Sequence, residues 1–288
     1  MSAPVRIAAR GVRDALGGTD TLLAASALVI IALATIGAPW VAPFDPNAMP
    51  DFVRDQFLAP SWHHPFGTDQ YGRDVLSRVL HGGRVSLGIA ALAAGIAVIV
   101  GTAWGAVAGF AGGALDTWLM RIADALLSIP RVLLLLLVLG LAGTPTVSMV
   151  AVLLGVTSWP GMSRVIRAHV RELRHQDYML AARALGTPWW RTVTLHLLPA
   201  VTPQVIVAGT LGFASVIPLE ATLSFLGLGL HPPHASWGNI ILEGTEQAGE
   251  HWWLVVFPVI ALLVTVLAAN TLGERVQDAV DPRRSRAQ

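Results

Sequence analysis

Two carboxylates stand in otherwise apolar stretches, Asp124 in LDTWLMRIADALLSIPR and Glu220 in VIPLEATLSFLG. A charge in such a setting is costly unless it faces a partner or a water-filled path, so each is a functional candidate by default. Glu220 could line a pathway, meet an amine or carry a proton. The alternative, and the favoured reading, is a structural carboxylate hydrogen-bonded between helices. Asp124 could pair with Arg121 one turn before it or with Arg131 two turns after it. A second chemistry is offered by histidine. His63, His64 and Asp69 lie in one segment and His231 and His234 in another, but neither set has the spacing of a firm metal site, and both read as loop residues. Missing residues exclude more. There is no cysteine, hence no disulfide and no thiolate metal site. All 19 basic residues are arginine. A P-loop needs a lysine on the β- and γ-phosphates, so this chain is not a standard P-loop ATPase, and lysine Schiff-base chemistry is absent too. No HExxH occurs, and no serine–histidine pair stands at a usable spacing. The chain does not read as an enzyme.

The elements that must hold these residues follow from composition. Of 288 residues, 54% are hydrophobic and only 13% charged, where a soluble domain carries about 25% charged residues. With a mean hydropathy of +0.61, this is an all-α integral membrane protein. Residues 1–20 place Val5, Ala9, Val12 and Leu16 at helical spacing between Arg6, Arg10 and Arg13, an amphipathic helix for an anionic membrane face. A cleavable signal sequence is less well supported, because no clear small-residue cleavage site follows the next apolar run. Residues 21–41 form the first span (Leu22–Val41), and 42–85 a long polar loop. Late in that loop Val75, Leu76, Val79 and Leu80 oppose Arg73, Asp74, Ser77 and Arg78, which suggests a separate interfacial helix. Residues 86–273 hold five further spans, making six: Ser86–Phe110, Leu115–Leu141, Val147–Ile166, Ala200–Leu228 and Trp252–Leu272. Gly101, Gly105 and Gly109 form a small-residue stripe for close helix packing. The first half of the third span is amphipathic and projects partly from the hydrocarbon before Pro130. Arg164 reads as a snorkelling side chain. Residues 274–288 are a polar tail.

Between the fourth and fifth spans, Gln176–Pro199 (QDYMLAARALGTPWWRTVTLHLLP) is not itself a span. Asp177–Leu185 reads as a short helix with an acid in its first turn. Gly186 is its stop, being free to take φ > 0. Thr187 and Pro188 restart a helix, and Pro199 limits it. The result is a helix–glycine–helix hairpin at a membrane surface.

That hairpin resembles the "EAA" loop of ABC-importer permeases: Ala181-Ala182, then Gly186, then Leu198-Pro199, with Leu180 in place of the motif's glutamate and His196 in place of its isoleucine. Three more stretches are similar to the dipeptide/oligopeptide permease group: GTDQYGRDVLSRVLHGGRVSL, MRIADALLSIP, and LEATLSFLGLG followed by LHPPHASWG. The Asp281-Pro282 tail fits as well. The resemblance implies a C-type permease subunit with the type I ABC-importer permease fold. It further implies four partners of other kinds: a second homologous permease subunit, two ABC ATPase subunits that carry the ATP and magnesium, an extracytoplasmic solute-binding protein, and membrane lipid. No cofactor in this chain and no nucleic acid are expected. The hairpin would be the ATPase-coupling element, through Asp177, Ala181, Ala182, Arg183, Gly186, Trp189, Arg191, Leu198 and Pro199. Trp189 has an alternative role as an interfacial anchor. Two short helices of this kind would move as levers with the ATPase and drive alternating access. The substrate class implied is di- or oligopeptides, with nickel or metal–opine import as the alternative within the family and a proton-coupled secondary transporter using Asp124 and Glu220 as the alternative outside it.

Charge sets the expected orientation. With both termini cytoplasmic in a bacterial plasma membrane, the inner segments collect Arg6, Arg10, Arg13, Arg164, Arg167, Arg171, Arg174, Arg183, Arg191, Arg275, Arg283, Arg284 and Arg286. The loop between spans five and six carries Glu243, Glu246 and Glu250 and no arginine. The arginines at 54, 73, 78 and 84 go against the rule and are outvoted.

Overall fold

A computed structural model describes residues 18–280 apart from Phe52 and Pro232, so the expected amphipathic helix before residue 18 and the Asp281-Pro282 tail lie outside the described residues. The first span is α1 (Thr19–Ile36), followed by a single turn, α2 (Ala38–Val41). Next comes α3, Val75–Ala111, a helix of 37 residues. At about 1.5 Å per residue it is roughly 55 Å long, well beyond the ~30 Å hydrocarbon core. Here the sequence expectation is corrected, because the separate interfacial helix does not exist. Asp74 is the N-cap of the span itself, accepting from the Ser77 N–H at 2.8 Å, and the helix runs unbroken through Ser86.

The third span is broken. Helix α4 (Gly113–Leu127) and helix α5 (Arg131–Ala142) meet at 73°. Pro130 lacks the N–H that would continue the ladder, and Ser128 ends α4 by bonding back to Asp124. Helix α6 (Val147–Leu173), capped by Thr146, leads into α7 (Asp177–Ala184) and α8 (Trp189–Thr192). A π turn, Val193–Leu197, joins α8 to α9 (Leu198–Phe225); α10 (Trp237–Thr245) and α11 (Trp253–Val280) complete the order. Five of these helices are long and apolar enough to cross a membrane, or six with the bent pair taken as one span.

Packing centres on α3 against α6. A Cβ added at Gly101 would lie 2.6 Å from Met162, and one at Gly109 2.8 Å from Val170, so only glycine lets these backbones approach so closely. In a bilayer, where water expulsion between helices does not help, that van der Waals contact is the main attraction. Ile89, Ala93, Leu135, Leu154, Ile217 and Trp237 belong to the principal core. Leu23, Ile30, Leu33, Leu137, Leu263 and Leu267 are exposed on the outside, as lipid-facing side chains are. Trp253 begins α11 beside Thr68, far from the hairpin, and Arg275 near the other end reaches Asp20 of α1 at 3.4 Å. Both described ends of the chain therefore lie at the hairpin end.

Candidate functional site

The hairpin begins where α6 stops. Gly186 has φ +72°, the left-handed conformation expected of it, and its turn joins α7 to α8. Pro188 accepts from the N–H groups of Arg191 and Thr192. The second arm departs from expectation. Pro199 does not end it, since winding continues from Trp189 to Phe225. The reason lies one turn earlier: in the widened stretch the Leu198 N–H bonds to Val193, five residues back. That π winding absorbs a proline whose ring would clash in a regular α turn. The second arm is thus the base of the fifth span rather than a free lever.

Two side chains anchor the hairpin. Met179 of α7 and Leu197 of the π turn are both 0% exposed, packed with Ile166, Val170 and Val201. Everything towards the tip is open. Leu185 is 85% exposed and Trp189 69%, and Asp177, Leu180, Ala181, Arg191, Leu198 and Pro199 are exposed too. The side chains of Ala182 and Arg183 lie outside the described residues. Exposed apolar side chains gathered on one protruding turn mark an interaction surface.

Beside the hairpin, α4 is tied to α6 by ions. Asp124 does not pair with Arg121 or Arg131; it accepts from Arg164, whose Nε lies 3.1 Å away. The partners are 40 residues apart, and the snorkelling role expected for Arg164 gives way to this pair. Two turns earlier in α4 and one turn later in α6, Asp116 holds Arg167 in a fork, with Nη2 2.6 Å from Oδ2. Acids along α4 facing arginines at matching depth in α6 were the available sequence signal.

At the opposite end, the GTDQYGRDVLSRVLHGGRVSL stretch folds into a closed polar knot. Gly67 turns with φ +75°, and its missing Cβ makes room for the Trp253 indole. Asp69 accepts from Arg73 Nε at 2.7 Å and from Arg78. Both arginines also reach Glu243 of α10, Arg73 at 2.6 Å and Arg78 through two nitrogens at 2.8 and 3.1 Å. Arg73 and Arg78 are therefore buried, not the solvent face of an interfacial helix. Burial pushes Glu243 upward, but the hydrogen bonds and charges of Arg78 and Arg73 outweigh it and hold the carboxyl below its usual range. His64 reaches Asp74 at 2.9 Å, and His234 offers its carbonyl to Asn239. Among the described residues no group of three or more acids and histidines is placed to hold a metal ion.

Below this knot, Glu220 is 1% exposed. It accepts from Ser86 at 2.9 Å and Ser224 at 2.8 Å, while the Trp237 N–H donates to Ser86 at 3.1 Å. One carboxylate oxygen is thereby engaged by Ser86 of α3 and the other by Ser224 one turn on in its own helix, a geometry that fits a structural carboxylate.

The class of protein is set by these features: a multi-pass helical membrane protein, closed by a polar knot at one end and carrying an exposed helix–glycine–helix hairpin at the other. More narrowly, the chain belongs to the family described as binding-protein-dependent transport system inner membrane component, whose model matches residues 101–286. It is 41% identical over 256 residues to a Brucella suis protein provisionally named a peptide transport system permease protein, with 89% of this chain and 85% of that one covered. It is also similar to the dipeptide transport system permease protein of Bacillus subtilis (38% identical, 90% and 80% covered). A further relative is the di/tripeptide transport system permease protein of Pseudomonas aeruginosa (35% identical, 96% and 90% covered).

Proposed function

We propose that this chain is the permease subunit of an ABC importer that carries di- or oligopeptides into a bacterial cell, with ATP hydrolysed by separate ATPase subunits docked at the hairpin. The observation that carries the docking is the bare apolar tip: Leu185 and Trp189 stand out at 85% and 69% exposure on a turn anchored below by Met179. A groove on an ATPase would cover them. ATP binding would close the ATPase pair and move the hairpin. Because α8 is continuous with α9 through the π turn, and α6 runs to within a few residues of α7, that motion passes into spans four and five. Coupling of this kind needs contacts that differ between two states. Asp177, Ala181, Ala182, Arg183, Gly186, Trp189, Arg191, Leu198 and Pro199 are the proposed coupling residues. The names of the relatives favour peptides over nickel or a metal–opine complex. The arginine bias supports an orientation with the hairpin and both termini in the cytoplasm; a binding protein would then meet the polar knot outside, and a second permease would complete the pathway.

Affinity purification of the chain from native membranes, with mass spectrometry of what accompanies it, tests the assembly. A second permease, P-loop ATPases and a binding protein are expected; recovery of this chain alone, under detergents that preserve comparable complexes, would turn the reading towards a secondary transporter. Gly186→Pro tests the hairpin, since proline locks φ near −65° where the turn needs +72°. Insertion should persist while uptake becomes uncoupled from ATP hydrolysis; unchanged uptake refutes the role.

A further inference from the structure

Arg131 is the first residue after the break in the third span, and it lies deep. Its guanidinium donates from Nε to Thr157 at 3.1 Å, and from Nη2 to the Leu154 carbonyl at 2.9 Å and to Ser158 at 2.6 Å. Leu154 to Ser158 stand 7–11 residues into α6 from Val147, which is about 10–17 Å at 1.5 Å per residue. Against a core of ~30 Å, that is near mid-membrane. All three acceptors are neutral. No carboxylate pairs with Arg131 among the described residues, although Arg164 and Arg167 of α6 each have one. A permanently charged side chain at this depth, left without a counter-ion, needs a reason.

Geometry supplies one. Arginine has five N–H donors, and the three bonds to α6 use Nε and Nη2 only, which leaves the Nη1 donors without an acceptor among the described residues. The elbow between α4 and α5 is uncovered: Leu127, Ser128, Ile129 and Pro130 are exposed on one side, and Val156 and Gly161 of α6 on the other. The guanidinium cannot snorkel away, because Leu154 and Ser158 hold it at this level. Helix α5 also begins here, and the positive end of its dipole adds to the same local potential.

We infer that Arg131 is an anion-binding side chain at mid-membrane, whose Nη1 takes a carboxylate of the transported molecule as it passes. A peptide offers such a group at its C-terminus, so the inference rests on the proposed function and names the part of the substrate that is read. A carboxylate from the second permease has the same chemistry, and the experiment separates the two.

Uptake of one peptide as the free acid and as its C-terminal amide is measured with the assembled transporter in proteoliposomes, for the wild type, Arg131→Gln and Arg131→Lys. A binding protein's own preference for the acid is the same in every case and cancels when acid-to-amide ratios are compared. Loss of a charge-assisted hydrogen bond in a dry site should shrink that ratio about tenfold or more in Arg131→Gln, with Arg131→Lys between the two. An unchanged ratio in Arg131→Gln overturns the inference. So does failure of Arg131→Gln to assemble when Arg131→Lys assembles, because the carboxylate would then be the partner's. If uptake proves independent of ATP, the importer reading fails, while the acid-to-amide ratio still reports on Arg131.

Discussion

Glu243→Gln removes one negative charge from a site that is otherwise balanced, two carboxylates against two guanidinia. The arginine side chains are 6% and 5% exposed and Asp69 is 8% exposed, so the uncompensated charge left behind has little water to turn to. Breaking a buried ion pair by deleting one partner costs about 3–5 kcal/mol. Glu243 is itself 24% exposed and Asp69 still serves both arginines, which places the expectation at the low end, ~3 kcal/mol. The assay is a double-mutant cycle with Arg78→Met on the purified protein, followed by thermal unfolding read from tryptophan fluorescence. The indole N–H groups of Trp237 and Trp253 donate to Val79 at 2.9 Å and Thr68 at 3.2 Å, so they report on this end of the molecule. The double variant should be less destabilised than the two singles together, by ~2 kcal/mol or more. Additivity within ~0.5 kcal/mol would refute the knot as a coupled unit. The pH dependence has a definite sign. Glu243 is held below the usual glutamate value of 4.5, so its stabilisation is complete above that value and is lost as the pH falls through the lower folded-state value. Glu243→Gln should flatten that acid limb.

Two further perturbations probe the interior. Glu220→Gln keeps an acceptor and adds a donor between Ser86 and Ser224 and should cost about 1 kcal/mol or less, whereas Glu220→Leu strands both hydroxyls and should cost ~2–4 kcal/mol; thermal unfolding of both distinguishes a hydrogen-bonding role from a need for charge, and an equal loss in the two would contradict it. Gly105→Val drives a side chain into the backbone carbonyl of Ser163, which cannot move aside, so the yield of monodisperse protein on gel filtration should collapse. Gly88→Ala, with open space around it, is the matched control and should be silent.

What the sequence determined by itself are features written in short windows. Long apolar runs set the spans, because a bilayer leaves the backbone no other way to satisfy its hydrogen bonds. The turn at Gly186 was legible for a similar reason, a φ above zero being a property of a single residue, whereas Leu115–Leu141 was read as one span and the 73° break at Pro130 came from the structure. The grouping of Ser, Gly, Asp and Arg between Gly67 and Leu87 was visible as a motif, but its purpose was not.

Tertiary structure decided the partners. Arg78 meets Glu243 across 165 residues and Ser86 meets Glu220 across 134, separations at which no local periodicity carries information. The amphipathic pattern of Val75 to Leu80 was read with its polar side in water, and that side is buried because distant α10 brings the Glu243 carboxylate onto Arg73 and Arg78 and the Trp237 indole onto the Val79 carbonyl. Asp124 had acceptable arginines within reach along its own chain, yet the packing of α4 beside α6 brings it to Arg164 instead. Pro199 carries a strong stop signal, and five residues of π winding before it let the helix continue. In the knot, a local preference worth about a kilocalorie or a few yielded to the larger cost of leaving a buried charge unpaired.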